Sequence, residues 1–341
     1  MSEQQGLLIE AAENIFESVS EANFAEAWTA VEEAGFGILL VDEASGGFGG
    51  DWADFYAVMR EVGKRALPLP LGEMVLGMWC SNRAGLEAPP GMVSIAVEVR
   101  GEVHNGHFSG VLQRVPWGRR VDAVVTVASG RAWVLPSHEA RVEARTNPAG
   151  EPRDDLHYSK TAATPAAVDV DLRLCAALMR VGQISGAADS ALAMSVEHVN
   201  SRKQFGRVLA KFQAVQQNLA VLAAEAAAVN SAGQAAALAR DRDPAGDGAK
   251  LEIAAAKLRA NMAVGTVTSI AHQVHGAIGF TEEYPLHRLT RRMMGWRSEY
   301  GNDRYWAEQL GARVARLGGT GLWREITRRS DFCHGLPGQP A

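Results

Sequence analysis

The chain has 341 residues, with 34 lysines and arginines against 39 aspartates and glutamates, a formal net charge of -5, and 47% hydrophobic residues. Its length predicts two or three packed units, and its composition excludes a disordered chain or a collagen-like fibre. The acidic balance offers no concentrated basic face for nucleic acid, and no apolar run approaches the ~18 residues that a membrane span needs.

Cysteine usage and the N-terminus indicate the compartment. Cys80, Cys175 and Cys333 are far apart and odd in number, which predicts buried thiols rather than a disulfide framework or a zinc site. The first residues are acidic and match neither a secretory signal nor an Arg-rich transit peptide. We therefore expect a cytoplasmic protein without a membrane or nucleic-acid partner.

Residues 1–90 are predicted to form an N-terminal helical domain, because apolar residues recur there at spacings of three and four. A glycine-rich loop at 46–50 interrupts this pattern. Asp51 follows the loop in the position of an N-cap for a helix from Trp52 to Lys64.

The pattern changes in residues 91–165, where three short alternating or β-branched runs (92–97, 123–128 and 132–135) predict a shortened β domain. Residues 166–341 return to long Ala-rich helices at 172–200, 212–239 and 248–274, each about 40 Å long. Gly182 and Gly186 give the first of these helices a small-residue face for close packing. The predicted fold is mostly α, with a small β domain between a helical domain and a C-terminal four-helix-type bundle.

The junction between the first two long helices carries side chains suited to an anion. Arg202 has a planar fork that matches phosphate or carboxylate, Gln204 and Gln213 can donate and accept hydrogen bonds, and Phe205 offers a face for an adenine ring. A simpler interpretation is that Arg202 and Lys203 only complement the dipole at a helix C-terminus.

A second constellation lies at 272–286, at the end of the third long helix. Gly276 and Gly279 let the backbone pass close to a ligand, and Gln273 and His275 bring polar groups to the same turn. His272 and His275 share a helix face, but no cysteine or carboxylate stands at a metal-ligand spacing. We therefore predict a structural histidine pair and no metal.

Two stretches in this order resemble the acyl-CoA dehydrogenase family: Arg-x-Gln-Phe-Gly … Phe-Gln-Ala-Val-Gln at 202–216, and Gln-Val-His-Gly-x-Ile-Gly-Phe-Thr-x-Glu-Tyr-Pro-Leu-His-Arg at 273–288. Members of the family use FAD to oxidise the Cα–Cβ bond of an acyl-CoA, with a glutamate as base, and pass electrons to an electron-transfer flavoprotein. One subunit holds the flavin ring, and its neighbour contacts the ADP end. The resemblance implies these ADP-end contacts: Arg202, Gln204, Phe205, Gln213, Gln273, Gly276 and Gly279.

The flavin-ring half of the site departs from the family. The family's Thr-Glu-Pro-x-x-Gly-Ser-Asp loop has no counterpart near 94–98, and the two family positions for the base hold Ala176 and Tyr300. Glu299 is one residue early, and one residue on a helix rotates a side chain by about 100°. Asn302-Asp303-Arg304 also replaces the usual Thr-Ser-Gln.

This uneven pattern resembles the short subunit of heteromeric (α2β2) bacterial acyl-CoA dehydrogenases, which act on steroid-derived thioesters. It implies a subunit without its own base, which contributes ADP-end contacts to a full-length homologue. Two alternatives stay open. The first is a self-sufficient homotetrameric dehydrogenase with Glu299 as a displaced base. The second is a flavin-free protein that serves as a scaffold or binds acyl-CoA.

Overall fold

The computed structural model describes residues 3–20, 22–242 and 247–330 of the chain. Four helices come first: α1 (Glu3–Ser18), α2 (Phe24–Glu33), α3 (Trp52–Lys64) and α4 (Leu71–Arg83). The predicted start of α3 is confirmed, because the Asp51 side chain accepts from the Asp54 backbone N–H and the Asp54 side chain completes a capping box.

Eight strands follow: β1 (Val93–Ala96), β2 (Glu98–His104), β3 (His107–Pro116), β4 (Ala123–Ala128), β5 (Arg131–Pro136), β6 (Arg141–Glu143), β7 (Arg153–Ala162) and β8 (Ala166–Ala167). They form two four-stranded sheets, in the orders β1-β4-β5-β8 and β2-β3-β7-β6. Only the β1–β4 pairing is parallel in these sheets.

The three predicted strands correspond to β1, β4 and β5, whereas β2, β3, β6, β7 and the two-residue β8 were missed. The missed strands β2 and β3 form a hairpin whose turn residues Asn105 and Gly106 have φ values of 47° and 75°. An Asn-Gly pair is a strong hairpin signal. The β region is therefore more extensive than the apolar runs indicated, because strands with a solvent face need not be apolar.

The rest of the described chain is helical apart from a short hairpin of β9 (Lys203–Gln204) and β10 (Arg207–Val208). Its helices are α5 (Leu172–Ser201), α6 (Gln213–Arg242), α7 (Asp247–His275), α8 (Leu286–Trp296) and α9 (Asp303–Ser330). Helices α5, α6 and α7 pack against one another. The predicted fold class, mostly α with a sheet region between helical parts, is confirmed.

Small residues bring α3 and α5 into close contact. A Cβ atom on Gly186 would lie 1.9 Å from the Arg60 carbonyl oxygen, and one on Gly63 would lie 2.0 Å from the Gln183 carbonyl oxygen. The N-terminal helices are thereby fixed against the bundle that carries the candidate site.

Cys80 and Cys175 are buried free thiols, as predicted, and burial raises the pKa of each to about 12. Cys333 lies outside the described residues. No helix in the described part of the chain is both long and apolar enough to span a membrane.

Candidate functional site

A groove of about 700 Å³ lies between the C-terminal end of α5, the start of α6 and the C-terminal end of α7. Its polar lining comes from His198, Arg202, Gln204, Asn218, Gln273 and His275. Its apolar lining includes Leu209, Val215 and Ile278, and none of the described aspartates and glutamates lines it. Two parts of the chain that are about 70 residues apart thus meet in a groove without negative charge.

Arg202 is the C-cap of α5, and its side chain is exposed. Its backbone N–H donates to the His198 carbonyl oxygen at 2.9 Å, whereas its guanidinium forms no ion pair or hydrogen bond within the described residues. Proximity to the helix C-terminus favours the positive charge but leaves the planar donor fork available. The guanidinium can therefore bind an anion without giving up a protein partner.

The β9–β10 hairpin places the next two predicted residues. Gln204 lines the groove, and Phe205 occupies the turn with a φ of 52° and 89% of its surface exposed. The only described ring that approaches Phe205 is that of Phe212, edge-on at 6.2 Å. A large aromatic ring held in solvent has most of its area free for contact with a ligand or a neighbouring subunit.

The remaining predicted residues differ in what they can contact. Gln273 lines the groove, and Gln213 is the exposed first residue of α6, next to the lining residue Ala214. Gly276 has a φ of 66° and open space where a Cβ atom would stand. Gly279 is buried, and its Cβ position lies 3.0 Å from the Cβ of His275, so it serves packing rather than close ligand approach.

Sequence reasoning did not single out His198 and Asn218, which also line the groove. A signal for His198 was present, since residues four apart share a helix face and His198 precedes Arg202 by four. Asn218 had no comparable signal, because its approach to α7 depends on how α6 crosses the bundle.

The histidines at the end of α7 have protein partners. His275 Nδ1 lies 2.7 Å from the Ala271 carbonyl oxygen, and its Nε2 lies 3.0 Å from the Tyr284 hydroxyl. His272 Nε2 lies 2.9 Å from the Thr290 hydroxyl. Among the described residues, no group of three or more His, Cys, Asp or Glu side chains is placed to hold a metal ion.

Neither of the two family positions for the base carries a group that can act as one in this chain. Ala176 is fully buried in α5, and Tyr300 is buried with its hydroxyl lacking any hydrogen-bond partner in the described structure. Burial raises the pKa of Tyr300 far above its ordinary value of 10.0. A neutral phenol of this kind cannot remove a proton from carbon.

Glu299 lies in the turn between α8 and α9, where two arginines hold it. Its Oε1 accepts from Arg153 Nε on β7 at 2.8 Å, and its Oε2 accepts from Arg180 Nε on α5 at 2.8 Å. Asn147 donates a further hydrogen bond at 3.2 Å. The carboxylate therefore joins the second sheet to the bundle through charge-assisted hydrogen bonds.

These partners set the chemistry of Glu299. Burial alone would raise the pKa of Glu299, but the charges of Arg153 and Arg180 outweigh burial and lower it to about 2. A general base works best when its pKa lies near the operating pH. Glu299 is ionised at neutral pH, yet it is a weak proton acceptor whose oxygens already accept hydrogen bonds from the two arginines.

The ion pairs continue on both sides of Glu299. Arg180 also binds Glu73 at 2.6 Å, and Arg153 also binds Glu151 at 3.1 Å. Arg292 of α8 contacts Glu151 at 2.8 Å. We call this alternating chain the ion cluster; its members are Glu73, Arg180, Glu299, Arg153, Glu151 and Arg292.

The ion cluster borders a cleft of about 320 Å³ between the sheets and the turn after α8. Arg153, Glu299 and Tyr300 line it, together with Ile95, Val97 and Pro148. Ser94, at the position nearest to the family's flavin loop, is fully buried and donates its hydroxyl to the Pro116 carbonyl oxygen at 2.7 Å. The Ser94 hydroxyl is therefore used inside the sheet and is not directed at a ligand.

Comparison with known proteins gives one family match and several relatives. Residues 173–315 match the family model of the acyl-CoA dehydrogenase C-terminal domain. Acyl-CoA dehydrogenase IpdE2 of Mycobacterium tuberculosis is 29% identical over 268 residues, which cover 77% of this chain and 78% of the relative.

Solved structures share the fold. A chain of the ChsE4-ChsE5 complex from Mycobacterium tuberculosis superposes with a TM-score of 0.83 at 20% identity, covering 92% of this chain and 98% of the other. The Tcur3481-Tcur3483 steroid acyl-CoA dehydrogenase variant gives the same TM-score, identity and coverage. These similarities establish the architecture, and the match over α5–α9 gives residues 173–315 the pattern of an acyl-CoA dehydrogenase C-terminal domain.

Proposed function

We propose that this chain is a subunit of a heteromeric, FAD-dependent acyl-CoA dehydrogenase, in which it contributes contacts to the ADP end of FAD and leaves proton abstraction to a full-length homologue. The carboxylate-free groove supports the first part of this proposal. The ion cluster supports the second part, since it engages Glu299, the carboxylate next to the expected base position at Tyr300.

The observation that carries the proposal is the contrast between Arg202 and Glu299. Arg202 stands at a position that the resemblance assigns to an ADP-end contact, and Glu299 is next to Tyr300, one of the two expected base positions. The guanidinium of Arg202 is exposed and without a partner in the described structure, whereas Glu299 is bound by two arginines and an amide. The proposed ADP-end contact is therefore available to a ligand, whereas the carboxylate next to the expected base position is engaged by protein partners.

Each residue of the groove has a role that follows from its chemistry. Arg202 offers two parallel donors to the diphosphate, Gln204 and Gln273 offer amide donors and acceptors, and the exposed ring of Phe205 offers a stacking surface. The absence of a lining carboxylate removes the repulsion that a diphosphate would otherwise meet. When bound, FAD would serve as the hydride acceptor of the complex. This chain's part is to position the nucleotide end.

The substrate class and the partners rest on the relatives. A bulky acyl-CoA thioester, including a steroid-derived one, fits the resemblance to a steroid acyl-CoA dehydrogenase complex. The same resemblance gives a full-length acyl-CoA dehydrogenase homologue as partner and an electron-transfer flavoprotein as electron acceptor. We place the complex in the cytoplasm.

The test is to co-express this chain with a full-length homologue encoded beside it and to count flavins per chain. We expect a yellow complex with about one FAD for every two chains. Arg202→Ala should lose FAD, because a charge-assisted contact to a diphosphate contributes roughly 1.5–3 kcal/mol, or at least about tenfold in affinity.

Arg207→Ala is the matched control. It removes the same charge five residues away, from a guanidinium that stacks 4.1 Å over Phe212 and does not line the groove. A homo-oligomer of this chain that holds one FAD per subunit and oxidises acyl-CoA alone would overturn the proposal. A stable complex that contains no flavin would favour the scaffold alternative instead.

A further inference from the structure

The groove contains a titratable ring beside the proposed phosphate contact. His198 lies on α5 one helical turn before Arg202, lines the same groove and is half-buried. Its ring stacks on His275 with 4.6 Å between centroids and 28° between planes. Neither ring nitrogen of His198 forms a hydrogen bond within the described residues, so both nitrogens remain available to a ligand.

His275, behind His198, is fixed by its own hydrogen bonds. A carbonyl oxygen can only accept, so the 2.7 Å contact with Ala271 makes Nδ1 of His275 the protonated nitrogen. Its Nε2 shares a hydrogen bond with the Tyr284 hydroxyl at 3.0 Å. Both ring nitrogens of His275 therefore have protein partners, whereas both nitrogens of His198 remain available to a ligand.

We propose that His198 is a second phosphate contact, which becomes protonated when a nucleotide diphosphate occupies the groove, so that binding takes up a proton. The proposal rests on the proposed function, because it assumes that the groove holds the ADP end of a nucleotide. It adds that the site is proton-coupled and that Arg202 does not act alone.

The charges around His198 give the sign of this coupling. Without ligand, burial, the facing His275 and Arg202 together lower the pKa of His198 below 6.5. Tyr284 lies 6.4 Å away beyond His275, and Glu197 precedes His198 on α5 without lining the groove. A diphosphate on Arg202 would bring negative charge to the ring, and an opposite charge within ~4–6 Å raises a histidine pKa by roughly 1–3. The imidazolium is then the favoured form.

The test uses ADP-ribose and the purified full-length chain. Each phosphate of the ADP-ribose diphosphate is esterified to a ribose, so the ligand has no terminal phosphate that titrates near pH 6. Any proton taken up on binding is therefore taken up by the protein. We expect calorimetry in buffers of different ionisation enthalpy to show uptake of part of a proton at pH 7. The affinity should fall by about tenfold from pH 6 to pH 8, the change for one pKa unit.

Three variants separate the possible results. His198→Gln keeps a polar side chain but should abolish proton uptake and the pH dependence. His272→Gln, the control, changes a histidine of α7 that does not line the groove and should retain both. Arg202→Ala should weaken binding at every pH.

If ADP-ribose binds in an Arg202-dependent way without proton uptake, His198 is only an aromatic wall and this inference fails alone. If ADP-ribose does not bind, or if it binds equally to Arg202→Ala, both this inference and the proposed function fail. Should His198→Gln not fold, titration of the histidine C2–H resonances of the unmodified chain decides the question. No resonance whose pKa rises with ADP-ribose means that the inference is wrong.

Discussion

Replacing Glu299 by glutamine tests whether this carboxylate is a structural ion or a catalytic base. The substitution preserves the size of the side chain and removes its charge. Arg153 and Arg180 would each lose an ionic partner while keeping another, Glu151 and Glu73 respectively. We therefore expect a folded but destabilised protein.

The size of the effect follows from the pKa. A fall from the ordinary value of 4.5 to about 2 means that the ionised form is stabilised in the folded state. At about 1.36 kcal/mol per pKa unit, the fall corresponds to about 3 kcal/mol, close to the roughly 3–5 kcal/mol for breaking a buried ion pair. Because the folded pKa lies below the unfolded one, this stabilisation is complete above pH 4.5 and is lost as the pH falls towards 2.

The assay is urea unfolding at pH 7, combined with acyl-CoA oxidation by the complex. Glu299→Gln should lower the free energy of unfolding by about 3 kcal/mol and leave the turnover of the folded complex unchanged. Glu308→Gln is the control, since its pair with Arg304 is exposed at 60% and 86% of the two side chains and contributes at most about 1 kcal/mol. Unchanged stability together with abolished turnover would refute this reasoning and make Glu299 the base.

Three other substitutions, Gly186→Ala, Lys257→Met and Tyr300→Glu, probe the fold and the cleft beside Glu299, and Gly265→Ala serves as a control. Gly186→Ala should destabilise the chain by roughly 1–3 kcal/mol or more in urea unfolding, because its Cβ would meet the Arg60 carbonyl oxygen at 1.9 Å. Gly265→Ala in α7 has room for a Cβ and should stabilise the chain by up to about 1 kcal/mol. Equal effects of the two substitutions would contradict the close packing of α3 on α5. Burial lowers the pKa of Lys257 from 10.5 to about 7, so between these pH values the unfolded chain holds a proton that the folded chain lacks. The free energy of unfolding of the wild type should therefore rise by about 1.4 kcal/mol per pH unit relative to that of Lys257→Met, measured at pH 7, 8 and 9. Parallel pH profiles of the two proteins would show that Lys257 stays charged. Tyr300→Glu should not create a dehydrogenase, because Arg180 lies 5.3 Å from the Tyr300 ring and would hold the new carboxylate as it holds Glu299. Acyl-CoA-dependent bleaching of FAD by this variant alone would show that a carboxylate at position 300 can act as the base.

The sequence predicted the elements whose signals are local. Asp51 marks the start of α3, and the long Ala-rich runs give α5, α6 and α7 within about three residues at each end. Strands β2 and β3 were missed because their alternation is weak and polar, so the Asn105-Gly106 turn was their clearest sign.

The groove was partly predictable for a similar reason. Arg202 and Gln204 belong to one short stretch and Gln273 to another, and the family resemblance connected the two stretches. The partners of Glu299 were not foreseen, because Asn147, Arg153 and Arg180 reach it from 119 to 152 residues away in sequence. A single charge within the apolar run of α5 was nevertheless a usable signal at Arg180, since a fully buried arginine needs a partner.

The ion cluster gives a physical reason why the two halves of the site differ. A ligand between the sheets and the bundle would contact both layers, and in this chain Glu299 makes that connection by binding Arg153 of β7 and Arg180 of α5. A carboxylate in this position cannot also turn towards a substrate, because both buried guanidinium groups would then lose an ionic partner at a cost of several kcal/mol. Under the proposed function, a base at this position would therefore require changes in the turn after α8, in β7 and in α5 together. Arg202 is under no such constraint, since its guanidinium has no partner in the described structure, and the proposed nucleotide contact is therefore independent of the ion cluster.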